Sequence, residues 1–168
     1  MRILGIDPGL QRTGFGLIEV ADDDPAGPAT LLDAGVFRLT AKDPVPARLL
    51  QLETDLRDFL DETRPDAAGV EALFAHYAHP RTAITMAHAR GVILLTLRRA
   101  GVCLLELPPN EVKKSLTGHG HASKHQIQRA VAGILALPEL PEPPDVADAL
   151  AIALCAAGRI ASERLVVE

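Results

Sequence analysis

Residues 2–9 read Arg2-Ile-Leu-Gly-Ile-Asp7-Pro8-Gly9, a short apolar run that ends on an aspartate and is stopped by Pro-Gly. This is the pattern of a buried strand running into a turn. Working outward, Thr13 to Val20 and Thr30 to Leu39 read as two further strands, separated by an exposed loop that carries Asp22, Asp23 and Asp24 with Pro and Gly. The first forty residues therefore predict a three-stranded antiparallel meander. From Val45 to Thr63 the apolar residues Leu49, Leu50, Leu52, Leu56, Phe59 and Leu60 keep helical spacing, and Pro65 closes that helix. Ala67 to Glu71 reads as a fourth strand, Thr82 to Ala100 as a long helix closed by Gly101, and Val102 to Leu107 as a fifth strand. Short helices follow at about Glu111–Leu116 and Ser123–Leu137, the second capped by Ser123. A proline-rich connector, Pro138 to Pro144, leads into a last helix from about Asp145 to Glu163. A meander followed by βαβ crossovers predicts an α/β protein with a five-stranded mixed sheet flanked by helices. A single domain over residues 1–168, with a short C-terminal tail from about 159, is expected.

Composition agrees with an ordinary globular chain. Of 168 residues, 48% are hydrophobic and 23% charged, outside the disordered range. The longest apolar run, Ala149 to Gly158, is shorter than the roughly 18 residues of a membrane span. The apolar start meets Asp7 too early to be a secretory signal, so a cytoplasmic protein is expected. Cys103 and Cys155 lie in apolar surroundings and suggest neither a disulfide nor a zinc site. The net charge is −5, yet between Arg90 and Arg129 seven Lys or Arg stand against two Glu. One basic face on an acidic body is the expectation.

Four carboxylates stand out. Asp7 and Glu71 close the first and fourth strands, and ligand sites of open α/β sheets lie at the carboxyl ends of strands. Asp145 and Asp148, at i and i+3, share one face of the last helix. Each has a purely structural reading, Asp7 in a turn and the helical pair as partners of the helix dipole. Their joint occurrence, and the apolar setting of Glu71, favour a cluster held together by oxygen-bound divalent cations, with Mg²⁺ the natural occupant.

The opening Ile3-Leu-Gly-Ile-Asp-Pro-Gly-Leu-Gln-Arg-Thr-Gly-Phe-Gly16, the stretch Val70-Glu-Ala-Leu-Phe74, the basic segment Pro109-Asn-Glu-Val-Lys-Lys to Ala122-Ser-Lys-His, and Asp145-Val-Ala-Asp-Ala-Leu-Ala-Ile-Ala153 resemble the RuvC family of bacterial Holliday junction resolvases. The resemblance runs in order from residue 1 to about 158. It implies an RNase H-like fold with strands one and four adjacent and parallel. It also implies a homodimer that binds four-way junction DNA and nicks two strands of like polarity symmetrically. The ends would be a 5′-phosphate and a 3′-hydroxyl, in homologous recombination and repair, with the RuvA and RuvB branch-migration proteins as partners. By the same resemblance Asp7, Glu71, Asp145 and Asp148 are catalytic and hold two Mg²⁺ or Mn²⁺ ions. Lys113 and Lys124 contact the phosphates near the scissile bond, Lys114 contacts DNA, and Gly118 and Gly120 let a loop approach the backbone. Phe74 is an aromatic wedge near the junction centre, and Arg81 and Arg90 contact DNA.

The chain departs from the family pattern between Phe74 and Arg90. Ala75-His-Tyr-Ala-His-Pro-Arg81 carries an apparent extra residue, His88 precedes Ala89-Arg90-Gly91, and Tyr77 competes with Phe74 for the wedge role. Asp145 stands where relatives can carry His. A transition-metal site at His119, His121 and His125 lacks a cysteine or nearby carboxylate to complete it. Three other functions share part of this pattern. An actin-like ATPase shares the Asp-Pro-Gly opening but uses two such lobes; a non-catalytic junction binder would be expected to miss an acid; an RNA-directed nuclease of the same fold would lack the lysine-rich segment. The sequence does not give the dimer interface; an odd helix face between Thr82 and Leu97 is a candidate for it.

Overall fold

A computed structural model describes residues 1–72 and 80–167, with the side chains of all of these except 80–82 and 164–167. Three strands open the chain, β1 (Arg2–Asp7), β2 (Arg12–Glu19) and β3 (Thr30–Arg38). Helix α1 (Val45–Thr63), strand β4 (Ala67–Glu71), helix α2 (Pro80–Arg99) and strand β5 (Cys103–Leu107) follow. Helices α3 (Pro109–Thr117), α4 (Lys124–Ile134) and α5 (Pro144–Val167) complete it.

The five strands form one mixed sheet in the order β3-β2-β1-β4-β5. The meander pairs antiparallel, and β1–β4 and β4–β5 pair parallel. Alternation along the strands sends Ile3, Ile18 and Val20 to the face covered by α3, α4 and α5, and Leu4, Ile6 and Leu17 to the face covered by α1 and α2. Stacked Phe15 and Phe37 rings, with centroids 4.7 Å apart, receive Phe59 and pin α1 to the meander.

Helix α5 lies directly on the sheet. A Cβ on Gly5 would stand 2.0 Å from the Ala149 carbonyl, and one on Gly14 2.2 Å from that of Asp145. Only bare backbone at these two strand positions admits the helix, whose own contact face is alanine-rich: Ala149, Ala153 and Ala156 are fully buried.

The predicted elements are all present; most ends agree to within a single residue, and four helix ends differ by two or more, α3 beginning at Pro109 rather than Glu111. Helix α4 stops at Ile134 rather than Leu137. There Ala136 takes a left-handed φ of 49° and Pro138 follows, which bars further helix. Helix α2 begins at Pro80, ahead of the predicted Thr82. Helix α5 continues to Val167, past the predicted end at Glu163, and takes in the stretch from about 159 that the sequence suggested as a tail.

Candidate active site

The parallel β1–β4 pair sets Ile6 beside Val70, so both strands end together and deliver Asp7 and Glu71 to one edge of the sheet. The turn beyond Asp7 is clamped by Thr13, which is fully buried. Its hydroxyl donates to the Gly9 carbonyl at 2.6 Å and accepts from the Gly9 amide at 3.3 Å. Across β1, Asp7 is register partner to Gly14, the glycine that lets the Asp145 backbone approach. The first turn of α5 thereby brings Asp145 and Asp148 to the strand ends.

Electrostatics shows that all four carboxylates share one neighbourhood. The Asp7 carboxyl is pushed up to about 8, chiefly by burial and then by Glu71, Asp148 and Asp145, with Lys124 pulling it down. Glu71 is raised by burial and by Asp148, and lowered in part by Lys113 and Lys124. Lys124 is raised foremost by the charge of Asp148, to which its ammonium donates at 3.4 Å. Glu71, Lys113 and Asp148 line one small hollow together with Val112 and Ile127. Here the basic residues only partly offset the acids. Among the described residues no three side chains are already closed into a metal cage. The donor set is oxygen-only and under-compensated in charge, which matches hard divalent cations that keep waters and accept substrate oxygens as further ligands.

The remaining candidates divide. Lys113 and Lys124 lie beside the acids, whereas Lys114 points outward from α3. Gly118 caps α3 with φ 76° and donates to the Lys114 carbonyl, so a helix terminus already accounts for that glycine. Gly120 leaves a Cβ 3.4 Å from the Asn110 carbonyl. Arg90, expected on DNA, instead faces inward. It is 16% exposed, its Nε donates to the Glu71 carbonyl at 3.1 Å, and its Nη2 is ion-paired with Glu106 on β5. Its fork braces the end of β4. Phe74 and Tyr77 lie outside the described residues, as does the Arg81 side chain.

Sequence reasoning missed the bracing pair Arg90–Glu106, the Thr13 clamp, and two arginines, Arg12 and Arg48, that line a cleft beside Asp145. Arg48 reads along the sequence as one more polar position of an amphipathic helix, and nothing local marks it out.

A sheet ordered β3-β2-β1-β4-β5, with a parallel β1–β4 pair whose ends carry acids facing an acidic helix start, defines an RNase H-like nuclease. The family model for the crossover junction endodeoxyribonuclease RuvC matches residues 3–156, and the chain belongs to the RuvC family. A RuvC of Rhodopirellula baltica is 47% identical over 154 residues, covering 91% of this chain and 84% of that one. A RuvC of Synechococcus sp. WH7803 is 43% identical over 154 residues, covering 92% and 96%. The fold is similar to that of Thermus thermophilus RuvC in complex with a Holliday junction substrate, with a TM-score of 0.87, 34% identity, and 97% and 96% coverage. The yeast mitochondrial Holliday junction resolvase Ydc2 shares the fold at a TM-score of 0.62 and 15% identity.

Proposed function

We propose that this protein is a metal-dependent endonuclease that resolves four-way DNA junctions by symmetric nicks in two strands of like polarity, leaving 5′-phosphate and 3′-hydroxyl ends, in homologous recombination and repair. The observation that carries the reading is the convergence of Asp7, Glu71, Asp145 and Asp148 on one sheet edge, flanked by Lys113 and Lys124. In this reading the four carboxylates hold two Mg²⁺ or Mn²⁺ ions. Bound there, the ions would lower the pKa of the attacking water and stabilise the departing 3′ oxygen.

The chain's own residues do the rest. Thr13 and Arg90 hold Asp7 and Glu71 in place by fixing the backbone around them. Lys113 and Lys124 fix the phosphate that is cut, and while no DNA is bound Lys124 rests on Asp148. In the same reading Lys114, Gly118 and Gly120 contact DNA beyond that phosphate, while Phe74 or Tyr77 is the wedge at the junction centre and Arg81 a further backbone contact.

Paired nicks require two sites related by symmetry, hence a homodimer. Ile84 and Leu95, three turns apart on one side of α2, are 58% and 51% exposed, and this side of the helix supplies the dimer contact. RuvA and RuvB are the partners in branch migration, and the cytoplasm is the site of action.

Cleavage of a labelled four-way junction against linear duplex of the same sequence, with Mg²⁺, Mn²⁺ or EDTA, tests the reading. Paired nicks on the junction alone, abolished by EDTA, are expected. Tight junction binding without nicks in either metal would overturn it in favour of a binding protein of the same fold.

A further inference from the structure

The acids have a second basic flank. Arg12 begins β2 and Arg38 ends β3, and the two are direct register partners, so their side chains leave the same face of the sheet. Both are exposed. Like charges directly opposite on paired strands repel. Nevertheless, in a chain with 22 acidic residues, none of Arg12, Arg38 or Arg48 forms an ion pair among the described residues.

Arg48, at the start of α1, donates from Nη1 to the Leu10 carbonyl at 3.1 Å, and its buried Nε has no acceptor. Arg12 and Arg48 line an open cleft of about 600 Å³ that reaches Asp145. The register of β1 with β2 puts this flank on the meander side of Asp7, whereas Lys113 and Lys124 lie on the side of β4 and Glu71.

We propose that Arg12, Arg38 and Arg48 form a second phosphate-binding platform, which holds the DNA backbone where it leaves the acids on the side away from the lysines. The ligand is phosphodiester, recognised by guanidinium forks without regard to base. This inference rests on the nuclease reading above and adds to it the path of the strand: across the sheet edge from lysines to arginines, with the acids between.

Neutralised phosphates are counted by the salt dependence of binding. Binding of a labelled junction and of a linear duplex would be measured in EDTA, which prevents cutting, across a series of salt concentrations. The proteins compared are wild type, Arg12→Gln/Arg38→Gln, and Arg57→Gln as a control, Arg57 being paired with Glu53 and Asp58 on α1. The slope of log affinity on log salt should become shallower by about 0.9 for each arginine removed, on both DNAs, with no change for the control. Arg48→Gln should act the same way; because Arg48 also holds the Leu10 carbonyl, the exposed Arg12/Arg38 pair is the primary test. An unchanged slope in the folded double variant, or an equal change in the control, would overturn the platform alone. Wild-type protein that binds neither DNA would overturn the platform and the proposed function together.

Discussion

The carboxyl of Asp7 sits at about 8 against 3.8 in the unfolded chain, because burial and three neighbouring carboxylates all disfavour its charge. Between those values the folded protein holds a proton that the unfolded chain has lost. The contribution of Asp7 to metal-free stability is therefore fully present below about pH 4 and is lost as pH rises through about 8. Glu71 is shifted in the same direction and adds to the trend. Divalent cations bind the deprotonated forms, so the rise in melting temperature caused by Mn²⁺ should grow between pH 6 and pH 8.5. A metal effect that is flat across this range in thermal melts would contradict the clustering. Asp7→Asn should lower cleavage by more than about 100-fold while junction binding in EDTA persists, and should flatten the metal-free decline with pH. Arg90 invites a different test. Arg90→Lys keeps the charge but cannot reach both the Glu71 carbonyl and Glu106 with one fork. Cleavage should fall roughly 10- to 100-fold with junction affinity in EDTA unchanged; weakened binding at an unchanged cleavage rate would make Arg90 a DNA contact after all.

At the scale of elements, the site depends on how α5 lies on the sheet. Gly14→Ala places a methyl against the Asp145 carbonyl and must push the start of the helix away. A loss of about 1–3 kcal/mol in chemical denaturation is expected, together with a fall in cleavage out of proportion to it, because both helical acids ride on that turn. Ser123 accepts from the Gln126 amide while the Gln126 side chain accepts from the Ser123 amide, a complete capping box at the start of α4. Ser123→Ala should cost about 1 kcal/mol and loosen Lys124, the next residue, so that the salt dependence of junction binding weakens.

For the whole molecule, the expected consequence of pairing through α2 is symmetry of the cut. Leu95→Glu introduces a charge on the exposed side of α2 that also carries Ile84. In analytical ultracentrifugation this variant should sediment as a monomer, and on a labelled junction it should leave single nicks in place of paired ones. A variant that remains dimeric and nicks in pairs would move the interface elsewhere.

Much of this was legible along the chain, for a physical reason. Strand alternation, helical spacing, Pro and Gly punctuation and the Ser123 cap are local properties, so the order and type of every element could be read, with errors only at ends such as Leu137, where a left-handed Ala136 intervened. The acids Asp7, Glu71, Asp145 and Asp148 were legible because their types and their places at strand and helix ends are local too. That they form one cluster was an expectation the family resemblance supplied and spacing alone could not: it depends on β1 and β4 being neighbours, and on Gly5 and Gly14 admitting α5 to backbone distance. Likewise Arg90 and Arg48 look like solvated helix positions until packing brings one to the Glu71 carbonyl and the other to the Leu10 turn. The sequence by itself determined the elements and the chemical types at their ends, since these follow from near neighbours in the chain. Only the tertiary structure decided which charges meet, which arginine braces and which is left without a carboxylate, because those depend on distances between residues far apart in sequence.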